Sequence, residues 1–224
     1  VEIGIKPGYY NSFEDGADGF VFGGKTPMWE VGVPTYGPKS VPSGSNVVGT
    51  RLNGNYEGLV NSLLISPPID LSDATSDSIL RFKDWSELDN YMGGFEDTAE
   101  VWIGEIPEDS SSMDKIVYSQ KPALINKYSK SFWQEHYIDL SPYKGKKIIV
   151  MFALRWAGYS ERKAAGYYID DFKLEALTNE IPLPPSKGLS AENFVGSGKI
   201  RINFDKVNNP LITEYALYRS TTEN

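Results

Sequence analysis

Gly166-Tyr167-Tyr168-Ile169-Asp170-Asp171-Phe172-Lys173-Leu174 is the stretch whose reading decides the fold. Aromatic and β-branched residues of this kind fit a half-buried pleated strand. Alternation along such a strand predicts Tyr168, Asp170, Phe172 and Leu174 on one face, toward a core, with Asp171 facing outward. Aspartate is depleted in strands, so the pair Asp170-Asp171 is anomalous. A buried carboxylate needs a cation or a set of N–H donors. A bound metal ion is the natural candidate for Asp170.

The same period of two recurs outward from this stretch. Helical periodicity is nearly absent. Strands are expected over residues 19–22, 28–31, 46–52, 59–65, 78–87, 99–104, 115–119, 133–139, 146–156 and 167–177. The segments between them carry turn chemistry: Gly23-Gly24, Pro42-Ser43-Gly44, Asn53-Gly54-Asn55, Gly93-Gly94 and Lys144-Gly145. About ten short strands in succession predict an all-β, two-sheet antiparallel jelly-roll sandwich over residues 1–178. A Pro-rich linker follows over residues 179–188. Residues 189–224 resemble the opening of a fibronectin type III domain, with an alternating Ile200, Ile202, Phe204 strand and then Tyr215-Ala216-Leu217-Tyr218-Arg219. That segment is too short to close such a sandwich, which needs about 90–100 residues. It is expected to be a truncated, partial β segment.

Composition narrows the function. The 224 residues carry 30 acidic and 22 basic side chains, a net charge of −8. Nucleic acid and anionic membrane surfaces both call for a basic patch, so neither is an expected partner. Divalent cations suit the acidic surface. There is no cysteine, which excludes disulfides, thiol catalysis and cysteine zinc sites. No apolar run is long enough to span a membrane as a helix. The chain starts Val1-Glu2-Ile3 with no leader-like segment, so a piece of a longer protein is expected.

Several stretches then act together. They are Phe13-Glu14-Asp15-Gly16 with Trp29-Glu30-Val31-Gly32, and Ser43-Gly44-Ser45-Asn46-Val47-Val48-Gly49-Thr50 with Leu52-Asn53-Gly54-Asn55-Tyr56. Leu64-Ile65-Ser66-Pro67-Pro68-Ile69-Asp70-Leu71-Ser72, Tyr137-Ile138-Asp139-Leu140-Ser141 and Tyr168-Ile169-Asp170-Asp171 complete the set. In this order they resemble the jelly-roll, MAM-like accessory domain of secreted bacterial proteases of the bacillopeptidase F type. That resemblance implies a secreted, non-catalytic module attached to a subtilisin-like serine endopeptidase domain. It also implies one structural calcium where the N-terminal region meets the last strand. Asp170 and Glu14 are then the first ligand candidates, followed by Asp15, Asp171 and Asn53.

Catalytic machinery is not expected in this piece. His136 is the sole histidine, and it reads as a strand residue near the sandwich surface. No G-x-S-x-G elbow or paired-histidine zinc motif accompanies it. Glu87, Asp89, Glu96 and Asp97 read as a solvated acidic loop. Asp70 and Asp139, each before Leu-Ser, read as turn-forming aspartates. Trp29, Tyr36, Tyr91, Trp156 and Tyr159 lie near expected loops. Trp156 and Tyr159 are the candidates for ligand contact, which opens an alternative function as a carbohydrate-binding module of a glycoside hydrolase or adhesin. The expected partners are the parent's own catalytic domain and a cell-wall or glycan surface. The module itself is expected to be monomeric.

Overall fold

A computed structural model describes residues 4–56, 61–89, 97–108, 115–155, 164–177, 190–194 and 199–203. The chain divides into two compact units, Val1–Leu177 and Thr178–Asn224.

In the first unit, thirteen strands run in order: β1 (Tyr10–Asn11), β2 (Val21–Gly24), β3 (Trp29–Gly32), β4 (Val47–Thr50), β5 (Asn61–Ile65), β6 (Ile69–Asp70) and β7 (Ser78–Glu87), then β8 (Thr98–Ile106), β9 (Val117–Tyr118), β10 (Leu124–Asn126), β11 (Lys130–Asp139), β12 (Lys147–Arg155) and β13 (Gly166–Ala176). They form two antiparallel sheets. A six-stranded sheet has the order β11-β7-β13-β4-β3, with β1 added to β13. A seven-stranded sheet has the order β10-β8-β12-β5-β2, with β6 added to β12 and β9 to β8. The chain is thus the expected all-β two-sheet sandwich. In the second unit, β14 (Ser190–Phe194) pairs antiparallel with β15 (Lys199–Asn203). The third strand expected near residues 214–219 lies outside the described residues.

Side chains from both sheets meet in one core. A chain of edge-to-face rings runs through it: Phe13 to Phe20 at 5.4 Å, Phe20 to Phe172 at 5.1 Å, Phe172 to Phe152 at 6.3 Å and Phe152 to Phe82 at 5.0 Å. Phe82 and Phe172 belong to the six-stranded sheet and Phe152 to the seven-stranded one. Burying a phenylalanine is worth about 2–3 kcal/mol, and ring pairs of this geometry add about 1 kcal/mol each. A second, smaller cluster lies apart from this core. Val47, Leu52, Trp85, Ala165 and Tyr168 form it, with Val41 and Trp133 packed against it.

The alternation expected for β13 is interrupted. Tyr167 and Ile169 face the main core, as do Phe172 and Leu174. Both sides of the strand cannot keep strict alternation and satisfy this. The register against β7 slips between Asp170 and Lys173, and Asp171 has φ 53°. This is a β-bulge. Asp170 therefore shares the outer face with Tyr168 and not with Phe172 and Leu174. It is nonetheless wholly buried, because the segment leading into β4 lies over it.

His136 is also not where the sequence places it. It is buried inside the sandwich, with Nε2 2.8 Å from Asp84 Oδ1. The parity of the strand explains this: His136 pairs with Phe82 and Ile138 with Leu80, both on the core side.

Candidate functional site

Three local devices position the acidic site. The first is the pairing of β13 with β4, which sets Tyr168 opposite Gly49 and Ile169 opposite Val48. It brings the loop Ser43-Gly44-Ser45-Asn46 beside Asp170. Gly49 is required there, because the Tyr168 ring lies across its Cα where a Cβ would clash. The second is Phe13, which sits in the core at φ 59°. Its N–H donates to Asn11 Oδ1 at 2.6 Å, an Asx-type turn. Anchoring Phe13 inward leaves Glu14 outward. The third is β1, which hydrogen-bonds to β13 with Tyr10 opposite Lys173.

The two leading candidates grip the same loop. Ser45 N–H and Asn46 N–H donate to Glu14 Oε1 at 2.9 and 2.7 Å. Asn46 Nδ2 donates to the Glu14 carbonyl at 3.1 Å. Gly44 has φ +53°, and a Cβ there would run into the Glu14 carboxylate. Ser43 N–H donates to Asp170 Oδ2 at 3.3 Å, and Asp171 N–H donates to Asp170 Oδ1 at 2.7 Å. These are backbone donors only. Burial pushes Asp170 up to about 7, more than the two backbone bonds pull it down.

Asp171 is the contrast. Its carboxylate is partly buried, which alone would raise it. Bonds from Lys83, Tyr10 and Ser43 outweigh that and hold it below the ordinary aspartate range. Lys83 Nζ lies 2.8 Å from Oδ2, while Tyr10 OH and Ser43 Oγ donate to Oδ1 at 2.5 and 2.8 Å. The two aspartates do not point to opposite sides, as alternation predicts. The bulge turns both toward Ser43.

Of the other candidates, Asp15 is exposed one residue beyond Glu14. Asn53 lies past the far end of β4, next to the start of β13 and not beside Asp170. Trp156 and Tyr159 lie outside the described residues, as do Tyr91 and Glu96. Trp29 is buried in the core, and Tyr36 is exposed. Among the described residues no three side chains of His, Cys, Asp or Glu gather as a metal cluster. An ion at this loop would therefore draw on Asp170, Glu14 and carbonyl or amide oxygens. The fit is a chemical one: all-oxygen donors, which hard cations prefer, and a buried carboxyl group with no direct ion pair among the described residues, Lys83 acting on it only from a distance.

Asp97 is not solvated but wholly buried, and it accepts a hydrogen bond from Tyr56 OH. Asp89 N–H donates to the same hydroxyl at 3.0 Å. Asp70 and Asp139 are the turn formers expected of them: each Oδ1 accepts the N–H two residues on, from Ser72 at 3.0 Å and Ser141 at 2.9 Å. Sequence reasoning missed the Asp84–His136–Asn126 group. Asn126 Nδ2 donates to Asp84 Oδ2 at 2.9 Å, so β10 of one sheet is tied to β7 and β11 of the other. Its available signal was parity: Asp84 alternates with Phe82 and Leu80, and His136 with Ile138.

The chain is 37% identical over 177 residues to bacillopeptidase F of Bacillus subtilis (strain 168), which covers 78% of this chain and 11% of that protein. The chain thus spans about a ninth of that relative's length. No family model matches. Among solved structures, the K1 cleaved adhesin domain of Lys-gingipain from Porphyromonas gingivalis W83 superposes with a TM-score of 0.51 at 15% identity, over 76% of this chain and 98% of that one. The C-terminal family 22 carbohydrate binding module of Clostridium thermocellum Xyn10B gives a TM-score of 0.47 at 11% identity, over 75% of this chain and 92% of that one. The first of these bears on the fold alone.

Proposed function

We propose that this chain is a non-catalytic, calcium-stabilised accessory region of a secreted serine endopeptidase of the bacillopeptidase F kind. Its job is to hold its own fold outside the cell and to stabilise, anchor or position the parent enzyme. The observation that carries the reading is the similarity to part of bacillopeptidase F across most of the sandwich unit. The buried Asp170 carboxyl group beside the Glu14-bound loop, with no direct ion pair among the described residues, supports the calcium. Asp170, Glu14 and oxygens of the loop 43–46 would hold the ion, with Asp15 and Asp171 near at hand. When bound, the ion supplies charge neutralisation and no chemistry. The chain itself supplies the rest: Phe13 anchors Glu14, and β4 holds the loop against β13.

Thermal unfolding in excess calcium and in excess chelator tests the ion. A ligand that binds only the native state must raise the midpoint. An unchanged midpoint counts against the site. Incubating the chain with casein tests the rest, and hydrolysis would overturn the non-catalytic reading.

A second reading is a carbohydrate-binding module. One arrangement favours it. Trp102 stands on the outer face of the seven-stranded sheet, with Arg155 over its ring at 5.4 Å and Glu100 accepting its Nε1–H at 2.6 Å. Aromatic faces flanked by fixed polar groups suit sugar rings. Tight and specific signal on a glycan array would favour this reading over the first.

A further inference from the structure

We propose that the cleft on the outer face of the six-stranded sheet, lined by Tyr10, Ser43, Arg81, Lys83 and Lys173, is a binding site for a phosphate-class oxyanion. The cleft has a volume of about 360 Å³ and is also bordered by Pro42, Glu135 and Asp171.

Register builds it. Tyr137, Arg81, Lys173 and Tyr10 stand directly opposite one another on β11, β7, β13 and β1. Side chains in such a row point to one face. Lys83 and Glu135 form the neighbouring pair. Three cations are thereby set side by side in a chain whose net charge is −8.

Each cation has an acidic partner, and the partners lie deeper. The side chains of Arg81, Lys83 and Lys173 are 36%, 31% and 41% exposed, against 26%, 15% and 15% for Glu135, Asp171 and Glu175. The layer facing solvent is positive and the layer beneath it negative. The acids are also engaged as acceptors, although Glu175 Oε2 has no hydrogen-bond partner and lies 4.0 Å from Arg81. Glu135 takes Arg81 Nε at 2.6 Å and Tyr137 OH at 2.7 Å. Asp171 takes Lys83, Tyr10 and Ser43. Glu175 Oε1 takes Lys173 at 2.5 Å.

The donors are not spent. A guanidinium and an ammonium each carry more N–H groups than the single short bond each makes here. Surplus donors on the solvent side call for an acceptor-rich ligand. A phosphate oxyanion meets that need, since Arg and Lys bind it by charge-assisted bonds. A neutral polyol brings no charge to meet the three cations. The cleft adjoins the proposed calcium site at Ser43 and Asp171, but here the cations and not the carboxylates take the ligand.

Amide chemical-shift titration of the whole chain tests this, with inorganic phosphate, glycerol 3-phosphate and glycerol as probes. The expected result is saturable shifts at Tyr10, Ser43, Lys83 and Lys173 with both phosphates below about 10 mM, and none with glycerol. Lys173→Gln, an exposed change, should weaken binding about tenfold with the spectrum otherwise intact. Arg81→Lys, which keeps the charge but loses the fork, should weaken it less. The titration is run in calcium and in chelator. Binding in both, at the same residues, supports the assignment. Shifts only in calcium would place the anion on the metal and overturn it, as would glycerol shifting the same residues or no saturation at all.

Discussion

His136 Nε2 lies 2.8 Å from Asp84 Oδ1 inside the sandwich, and no described residue partners its Nδ1. The imidazole ring also leans on Phe82 at 5.3 Å. The only histidine of the chain is thus a buried structural tie between an edge strand and its neighbour. Asn126 extends the tie to the other sheet.

Replacing His136 with Leu should destabilise the sandwich by about 3–5 kcal/mol, because it strips a buried carboxylate of its main partner. Asp84→Asn combined with His136→Leu should recover part of the loss, since no charge is then buried. Urea unfolding midpoints measure both. A single His136→Leu variant as stable as the parent would show that Asp84 needs no partner.

Asp170 predicts an unusual pH dependence in chelator. Its carboxyl sits at about 7 when folded and at about 3.9 when unfolded. The protonated acid is favoured in the native state, so its contribution is full below about pH 4 and is lost as pH rises toward 7. The loss is at most about 4 kcal/mol. Asp170→Asn should remove this slope, and the difference between the two proteins isolates it from Asp171, whose shift has the opposite sign. An ion held as proposed above would compete with protons for the same oxygens and should abolish the decline. Parallel pH–stability curves for parent and variant in chelator would dispose of the raised acid.

The loop 43–46 offers a third check. Gly44→Ala places a methyl group against the Glu14 carboxylate in a left-handed conformation, and should cost about 1–3 kcal/mol. In a Glu14→Ala background the steric part disappears and only backbone strain remains, about 1 kcal/mol. Equal costs in both backgrounds would mean that the loop does not rest on Glu14.

The bulge predicts which neighbours matter. Phe172→Ala should cost about 3–5 kcal/mol as a core truncation, while Lys173→Ala next to it should stay within about 0.5 kcal/mol. The ranking would be reversed had strict alternation from Tyr167 continued through Asp171.

Much of this was legible in the sequence. All ten expected strands overlap observed ones, because long alternating runs such as 78–87 carry their own period. β1, β6 and β10 were missed, since two or three residues such as Tyr10-Asn11 are too few to show any period. Asp170 stood out by composition, and it is buried. Its company could not be read. Alternation assumes an unbroken strand, and one residue in a left-handed conformation exchanges the faces beyond it. The partners from the 43–46 loop depend on sheet order, which places β4 beside β13 across more than a hundred residues of chain.

That single extra residue also marks the place where the last strand can change length and keep its core face. Removing Asp171 would take away its bonds to Lys83, Tyr10 and Ser43, yet regular alternation would then keep Asp170 outward and Phe172 and Leu174 inward. A one-residue deletion before or after the bulge would instead turn part of the strand over. Two related sequences would have to be matched by the facing of their side chains, and not by similarity alone, for their final strands to correspond.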